Sequence, residues 1–203
     1  MSGIYRIKPR FQVALGGVEA YLVRRRVHPD VLTLGALGLA LVGGGALWAA
    51  NGLHPLLLLL APIALARTAL NALDGLVARG TGLARPWGEV LNEFSDRLAD
   101  VALFAGVALA PGSSPALGAV VLVTMLLSSY LGTVAKAAGG RRQYGGVMGK
   151  ADRMLYLGVA AVLAFLLPAV PVFSTFLVVV FAGLIVTLGQ RLGATYVDLQ
   201  PRH

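Results

Sequence analysis

The sequence predicts an all-α polytopic membrane protein: six transmembrane helices preceded by an N-terminal interfacial amphipathic helix. Three observations predict it. Of 203 residues, 57% are hydrophobic and 13% charged, and the mean hydropathy is +0.78; a soluble domain of this size needs far more charged surface. Six apolar segments follow one another, each near or above the roughly 20 residues that cross a hydrocarbon core. Lys and Arg gather at alternate breaks between those segments, as they do in chains that cross a membrane repeatedly.

Residues 1–28 come first. Arg6, Lys8, Arg10 and Arg24 to Arg26 alternate there with Ile4, Phe11, Val13, Leu15 and Leu22. This suits a helix lying on the membrane surface, with a solvated basic arm as the alternative. Arg24-Arg25-Arg26 reads as a cytoplasmic-side anchor and not as a twin-arginine leader. The spans follow at about 31–50, 55–79, 88–110, 115–138, 150–168 and 171–191, separated by Gly- and Pro-rich breaks. Ala36, Ala40 and Gly44 lie four residues apart and permit close helix contact in the first span.

Arg79 and Arg85 mark the second break, Lys136, Arg141, Arg142 and Lys150 the fourth, and Arg191 and Arg202 the end. The other three breaks hold no Lys or Arg. Both termini are therefore expected in the cytoplasm. The whole reads as one domain, 1–203, with a juxtamembrane segment at 1–28, a six-helix core at 29–192 and a cytoplasmic tail at 193–203.

Composition also excludes. There is no Cys, hence no disulfide, thiolate metal site or Cys nucleophile. His28, His54 and His203 are too scattered for a constellation, and no Ser has a His–Asp setting. The net charge of +8 favours anionic lipid headgroups or substrates. Nucleic acid is a poorer reading, because the basic residues sit at segment ends and form no aromatic-laced patch.

Against this background the stretch from Asn71 to Asp100 stands out: NALDGLVARGTGLARPWGEVLNEFSDRLAD. Asn71, Asp74 and Ala78 share one helix face, and Gly88, Asn92, Asp96 and Asp100 share another. A short turn joins the two segments, so the faces can meet one or two turns inside the membrane boundary. Intramembrane carboxylates are costly and mark functional sites by default. Oxygen ligands converging there suit Mg²⁺, Mn²⁺ or Ca²⁺ and not zinc. A polar network that merely holds two helices together is the alternative. Arg67 and Asp100 fall level on these antiparallel segments, which predicts a buried ion pair beneath the site.

These residues resemble the CDP-alcohol phosphotransferase signature, D-x-x-D-G-x-x-A-R-x8-G-x-x-x-D-x-x-x-D. Asp74-Gly75-x-x-Ala78-Arg79 and Gly88-x-x-x-Asn92-x-x-x-Asp96 match it, with Asn71 and Asn92 at two of its four Asp positions. Pro29-Asp30-x-x-Thr33 resembles the family's Pro-Asn-x-x-Thr, and Gly149-Lys150-Ala151-Asp152-Arg153 its Gly-Lys-x-Lys-Thr. The resemblance implies transfer of a phosphatidyl or similar group from a CDP-linked lipid donor to an alcohol acceptor, with release of CMP, in a cytoplasm-facing site of a homodimer in a bacterial or archaeal membrane. By position it implies Asn71, Asp74, Asn92 and Asp96 as Mg²⁺ (or Mn²⁺) ligands and Asp96 as the base. It implies Thr33, Asp74, Gly75, Ala78, Arg79 and Gly88 around the nucleotide.

Asparagine keeps an oxygen ligand but brings no charge. Four carboxylates can balance two divalent ions, and two cannot. One metal, or two with the donor diphosphate supplying more charge; compensation by Glu93 or Asp100; or a non-catalytic relative that binds a nucleotide-linked lipid: these are the readings this leaves. Lys150, Arg153, Arg141 and Arg142 are candidates for an anionic acceptor, Arg being suited to bidentate phosphate contacts; positive-inside anchoring is the alternative for Arg141 and Arg142. A transporter, whose charges lie near the midplane, fits less well.

Overall fold

The structure is a computed structural model that describes residues 8–200, with side chains from Val13 onward. Ile4, Arg6, Arg202 and His203 lie outside the described residues, as do the side chains of Lys8, Arg10 and Phe11. The described residues form seven α-helices: α1 (Lys8–Arg24), α2 (Pro29–Ala49), α3 (Leu60–Gly80), α4 (Pro86–Ala108), α5 (Pro115–Ala137), α6 (Lys150–Leu166) and α7 (Val172–Leu199). A 3-10 turn at His54–Leu59 leads into α3.

Local chemistry sets the helix starts. Pro29, Pro86 and Pro115 occupy first-turn positions, where proline's missing N–H costs nothing. His28 and Ser114 cap α2 and α5 by accepting from the Asp30 and Leu117 amides. α3 ends at Gly80 with Thr81 as its C-cap, and Gly82 takes φ +70° to turn the chain toward α4.

Among the described residues, four segments are long and apolar enough to cross a membrane: Pro29–Ala49, His54–Gly80, Pro115–Ala137 and Val172–Leu199. The two other expected spans fall short of that measure for visible reasons. α4 carries Glu89, Glu93, Asp96, Arg97 and Asp100, and α6 has 17 residues and opens with Lys150, Asp152 and Arg153. α4 packs between α2 and α5, and α6 between α3 and α7.

The core runs through Leu47, Leu60, Leu103, Phe104, Met125, Leu157, Phe173 and Leu177, all essentially buried. Leu41, Leu65, Val123 and Val178 point outward, as an apolar solvent allows. A smaller cluster of Leu32, Leu73 and Val77 receives Leu15, Leu22, Val23 and Val27, seating α1 against α3. Ala36, Ala40 and Gly44 are buried in α2. At the α2–α4 crossing the backbones nearly touch: a Cβ on Gly44 would lie 2.3 Å from the Ala102 carbonyl oxygen, and one on Gly106 2.5 Å from that of Gly44.

α7 extends to Leu199, beyond the segment end expected near 191. Arg191 does not end the helix, because its guanidinium turns onto the Ser128, Tyr144 and Gly145 carbonyls of the neighbouring loop and α5.

Candidate functional site

A cavity of about 690 Å³ opens where α3 turns into α4 and where the loop after α5 leads to α6. Residues 74, 75, 78 and 79 form one stripe on α3, and 88, 92 and 96 one stripe on α4. Asp74, Gly75, Ala78, Arg79, Gly88, Asn92 and Asp96 all line the cavity, with Thr33 from α2 and Lys150 and Arg153 from α6.

Asp74 is buried and held from three sides. The Gly75 amide donates to Oδ1 at 2.5 Å, Thr33 Oγ1 donates to Oδ2 at 3.3 Å, and Asn92 Nδ2 also donates to Oδ2. Asp96, four residues past Asn92, accepts at Oδ1 from Lys150 Nζ. Asn71 is not among the lining residues, and its Nδ2 is buried without a hydrogen-bond partner. A Cβ on Gly75 would approach only the Arg79 guanidinium, at 3.4 Å, and one on Gly88 only Arg85 Cγ, at 3.5 Å, so each backbone is covered by no more than an arginine side chain. Arg79 is exposed at the rim and has no ion pair among the described residues.

One turn beneath, Asp100 is fully buried among three arginines. Arg67 Nη2 lies 3.3 Å from Oδ1, and Arg153 Nη2 and Arg97 Nη1 lie 3.4 and 3.5 Å from Oδ2. Arg67 also donates to Met154 Sδ at 2.9 Å, and Arg153 to the Met148 carbonyl at 3.2 Å.

Glu93 accepts from Arg142 and lies 3.6 Å from Arg97 Nε. Neither Glu93 nor Asp100 therefore has charge to spare for the cavity. Among the described residues, no group of three or more His, Cys, Asp or Glu gathers as metal ligands.

The structure does not bring Arg141 to the cavity. Its Nε lies 3.1 Å from Asp198, whose other oxygen accepts from the Arg141 amide at 2.5 Å. Arg142 does line the cavity, held by Glu93 with its guanidinium over the Tyr144 ring.

Sequence reasoning missed Arg97, which bonds Ser129 and bridges Glu93 and Asp100 along α4. The signal was present in its i+4 and i−3 spacing to those acids. It also missed the rim pair Arg85–Asp30 at 2.5 Å, which joins residues 55 apart and leaves no local pattern.

No family model matches the chain. Over 157 residues, 77% of each chain, it is 38% identical to the inner membrane protein YnbA of Escherichia coli. It is 30% identical to a phosphatidylinositol phosphate synthase of Mycolicibacterium smegmatis, covering all of this chain and 95% of the relative. Its fold is that of the Mycobacterium tuberculosis phosphatidylinositol phosphate synthase PgsA1, at 24% identity over 92% of this chain. The TM-score is 0.73 against the crystal structure with CDP-DAG bound (97% of that chain) and 0.74 against that with manganese and citrate (92%). Four helices of spanning length and an inner-membrane relative make this an integral membrane protein.

Proposed function

The chain belongs to the CDP-alcohol phosphotransferase family, and from that premise we propose that it transfers a phosphatidyl or related phosphoryl-linked group from a CDP-linked lipid such as CDP-diacylglycerol to an alcohol, releasing CMP. The observation that carries the reading is the convergence of Thr33, Asp74, Gly75, Ala78, Arg79, Gly88, Asn92 and Asp96 on one cavity from three helices. The CDP-DAG-bound relative of the same fold supports the donor class.

The backbones at Gly75 and Gly88, covered by no more than an arginine side chain each, leave room for a nucleotide to lie against the helices. Arg79, without an acid of its own among the described residues, suits the diphosphate. Thr33 steadies Asp74 from α2. Asp96 takes the proton of the acceptor hydroxyl at Oδ2, since Lys150 engages Oδ1. Lys150 and Arg153 border the acceptor side, with Arg142 behind them.

The donor chemistry fits a hard divalent cation such as Mg²⁺ or Mn²⁺. Asp74 and Asp96 offer carboxylates, and Asn92 an amide oxygen. Asn71 holds the remaining family ligand position, with its buried Nδ2 lacking a hydrogen-bond partner, but it does not line the cavity. When bound, such an ion neutralises diphosphate charge and stabilises the leaving CMP. The manganese-containing relative supports this choice of ion.

Six spans, cytoplasmic termini with a site facing the cytoplasm, a surface-lying N-terminal helix and a homodimer complete the reading, supported by the alternation of basic loops and by family membership.

The test is CMP release by protein in nanodiscs, given CDP-diacylglycerol, Mg²⁺ or Mn²⁺ and pooled alcohols, with Asp96→Asn alongside. Metal-dependent release that the substitution abolishes is expected. Binding of CDP-diacylglycerol without release from any pool would replace the enzyme with a nucleotide-lipid binder.

A further inference from the structure

Resting on that reading, the charge around the two cavity carboxylates limits how many cations the site can take. We propose that the Lys150 ammonium, seated on Asp96, stands in for a second divalent ion. The chain then sets one divalent cation and one fixed lysine charge against the donor's diphosphate.

Charge is the first argument. Asp74 and Asp96 together carry two negative charges, and Lys150 returns one positive charge. The neighbouring acids are already held: Glu93 by Arg142 and Arg97, Glu89 by Lys136 and Arg142, Asp30 by Arg85, and Asp100 by Arg67, Arg97 and Arg153. One divalent cation leaves this set at plus one; two leave it at plus three.

Hydrogen bonding is the second. A carboxylate at position 92 would face Asp74 Oδ2 and need a cation between them. Asn92 instead donates its Nδ2–H to that oxygen and removes the need.

Placement is the third. Lys150 opens α6, and that start is fixed on both sides. The Gly149 amide donates to Asp152 Oδ2 at 3.0 Å, and the Met148 amide to Thr187 Oγ1 at 2.9 Å. The ammonium therefore reaches Asp96 from a rigid base, with 27% of its side chain exposed to the cavity, where phosphate oxygens can share it.

Manganese binding to the intact protein in nanodiscs decides the matter, read by equilibrium dialysis and electron paramagnetic resonance with Mn²⁺ alone. Wild type should bind one Mn²⁺ per chain. The triple variant Asn71→Asp, Asn92→Asp, Lys150→Gln should bind two, with spin–spin broadening. With Mn²⁺ saturating, CDP should bind about tenfold more weakly to Lys150→Gln and within about threefold of wild type to Lys150→Arg. Two or no Mn²⁺ on wild type overturns the proposal. So does a triple variant that stays at one, or a Lys150→Gln protein that binds CDP as wild type does. If a glutamine variant fails to fold, the wild-type count and Lys150→Arg still decide. Absence of CMP release would sink the transferase reading and leave the Mn²⁺ count to stand or fall alone.

Discussion

Two polar clusters lie one helical turn apart and are built on opposite terms. The upper one, Asp74, Asn92, Asp96 and Lys150, borders a cavity and holds two carboxylates against one ammonium. The lower one sets a single carboxylate, Asp100, among three guanidinium groups and is closed to solvent at its centre. The upper is short of positive charge, which a cation or an approaching arginine can supply. The lower has its carboxylate already compensated, and its geometry is closed by α3, α4 and α6 together. A helix pair that needed only to be fastened would be served by the lower kind alone. The presence of the upper kind, open and under-compensated, is what marks a ligand site.

The contrast can be broken at its strongest point first. Asp100→Asn removes the buried anion that Arg67, Arg97 and Arg153 share; a loss of about 3–5 kcal/mol is expected, seen as aggregation or a collapsed melting temperature in detergent. Asp96→Asn should do the reverse, keeping the melt while lowering turnover by about 10²–10⁴. Should Asp96→Asn also collapse the melt, the upper cluster is structural and the distinction fails. Gly88→Val adds bulk at this backbone face and should weaken CDP binding by at least about tenfold without lowering the melt, valine being the better helix former. The smallest effect belongs at the opposite end of the bundle. Asn51 Nδ2 donates to the Trp48 and Leu109 carbonyls, each at 2.8 Å. Asn51→Ala should cost about 1 kcal/mol in the melt and leave turnover unchanged.

Much of this was readable before folding was considered. Gly and Pro punctuation put the helix starts of α2, α4, α5 and α6 within about two residues, because those residues act locally. Counting turns set Arg67 and Asp100 level, and the structure has them 3.3 Å apart. What could not be read depended on docking. Lys150 meets Asp96 across 54 residues, and only the packing of α6 against the rest brings them together. That Arg153 joins Asp100 follows from packing between helices, as does the turning of Arg141 onto Asp198 at the far end of α7. Charge counts in the sequence name the participants; the pairing is a property of the assembled bundle.

A disturbance at the contact between Gly44 and Gly106 acts on the site through two long helical arms. Thr33 lies eleven residues from it on one arm and Asp96 ten residues from it on the other. At 1.5 Å per residue each arm is about 15 Å long, so a tilt of about 5° at the contact moves the end of an arm by about 1.3 Å. A displacement of that size at the reacting groups is worth on the order of 10² in rate. A single methyl group placed at Gly44, far from any substrate, is therefore leverage enough to spoil the alignment of Thr33 and Asp74 with Asp96.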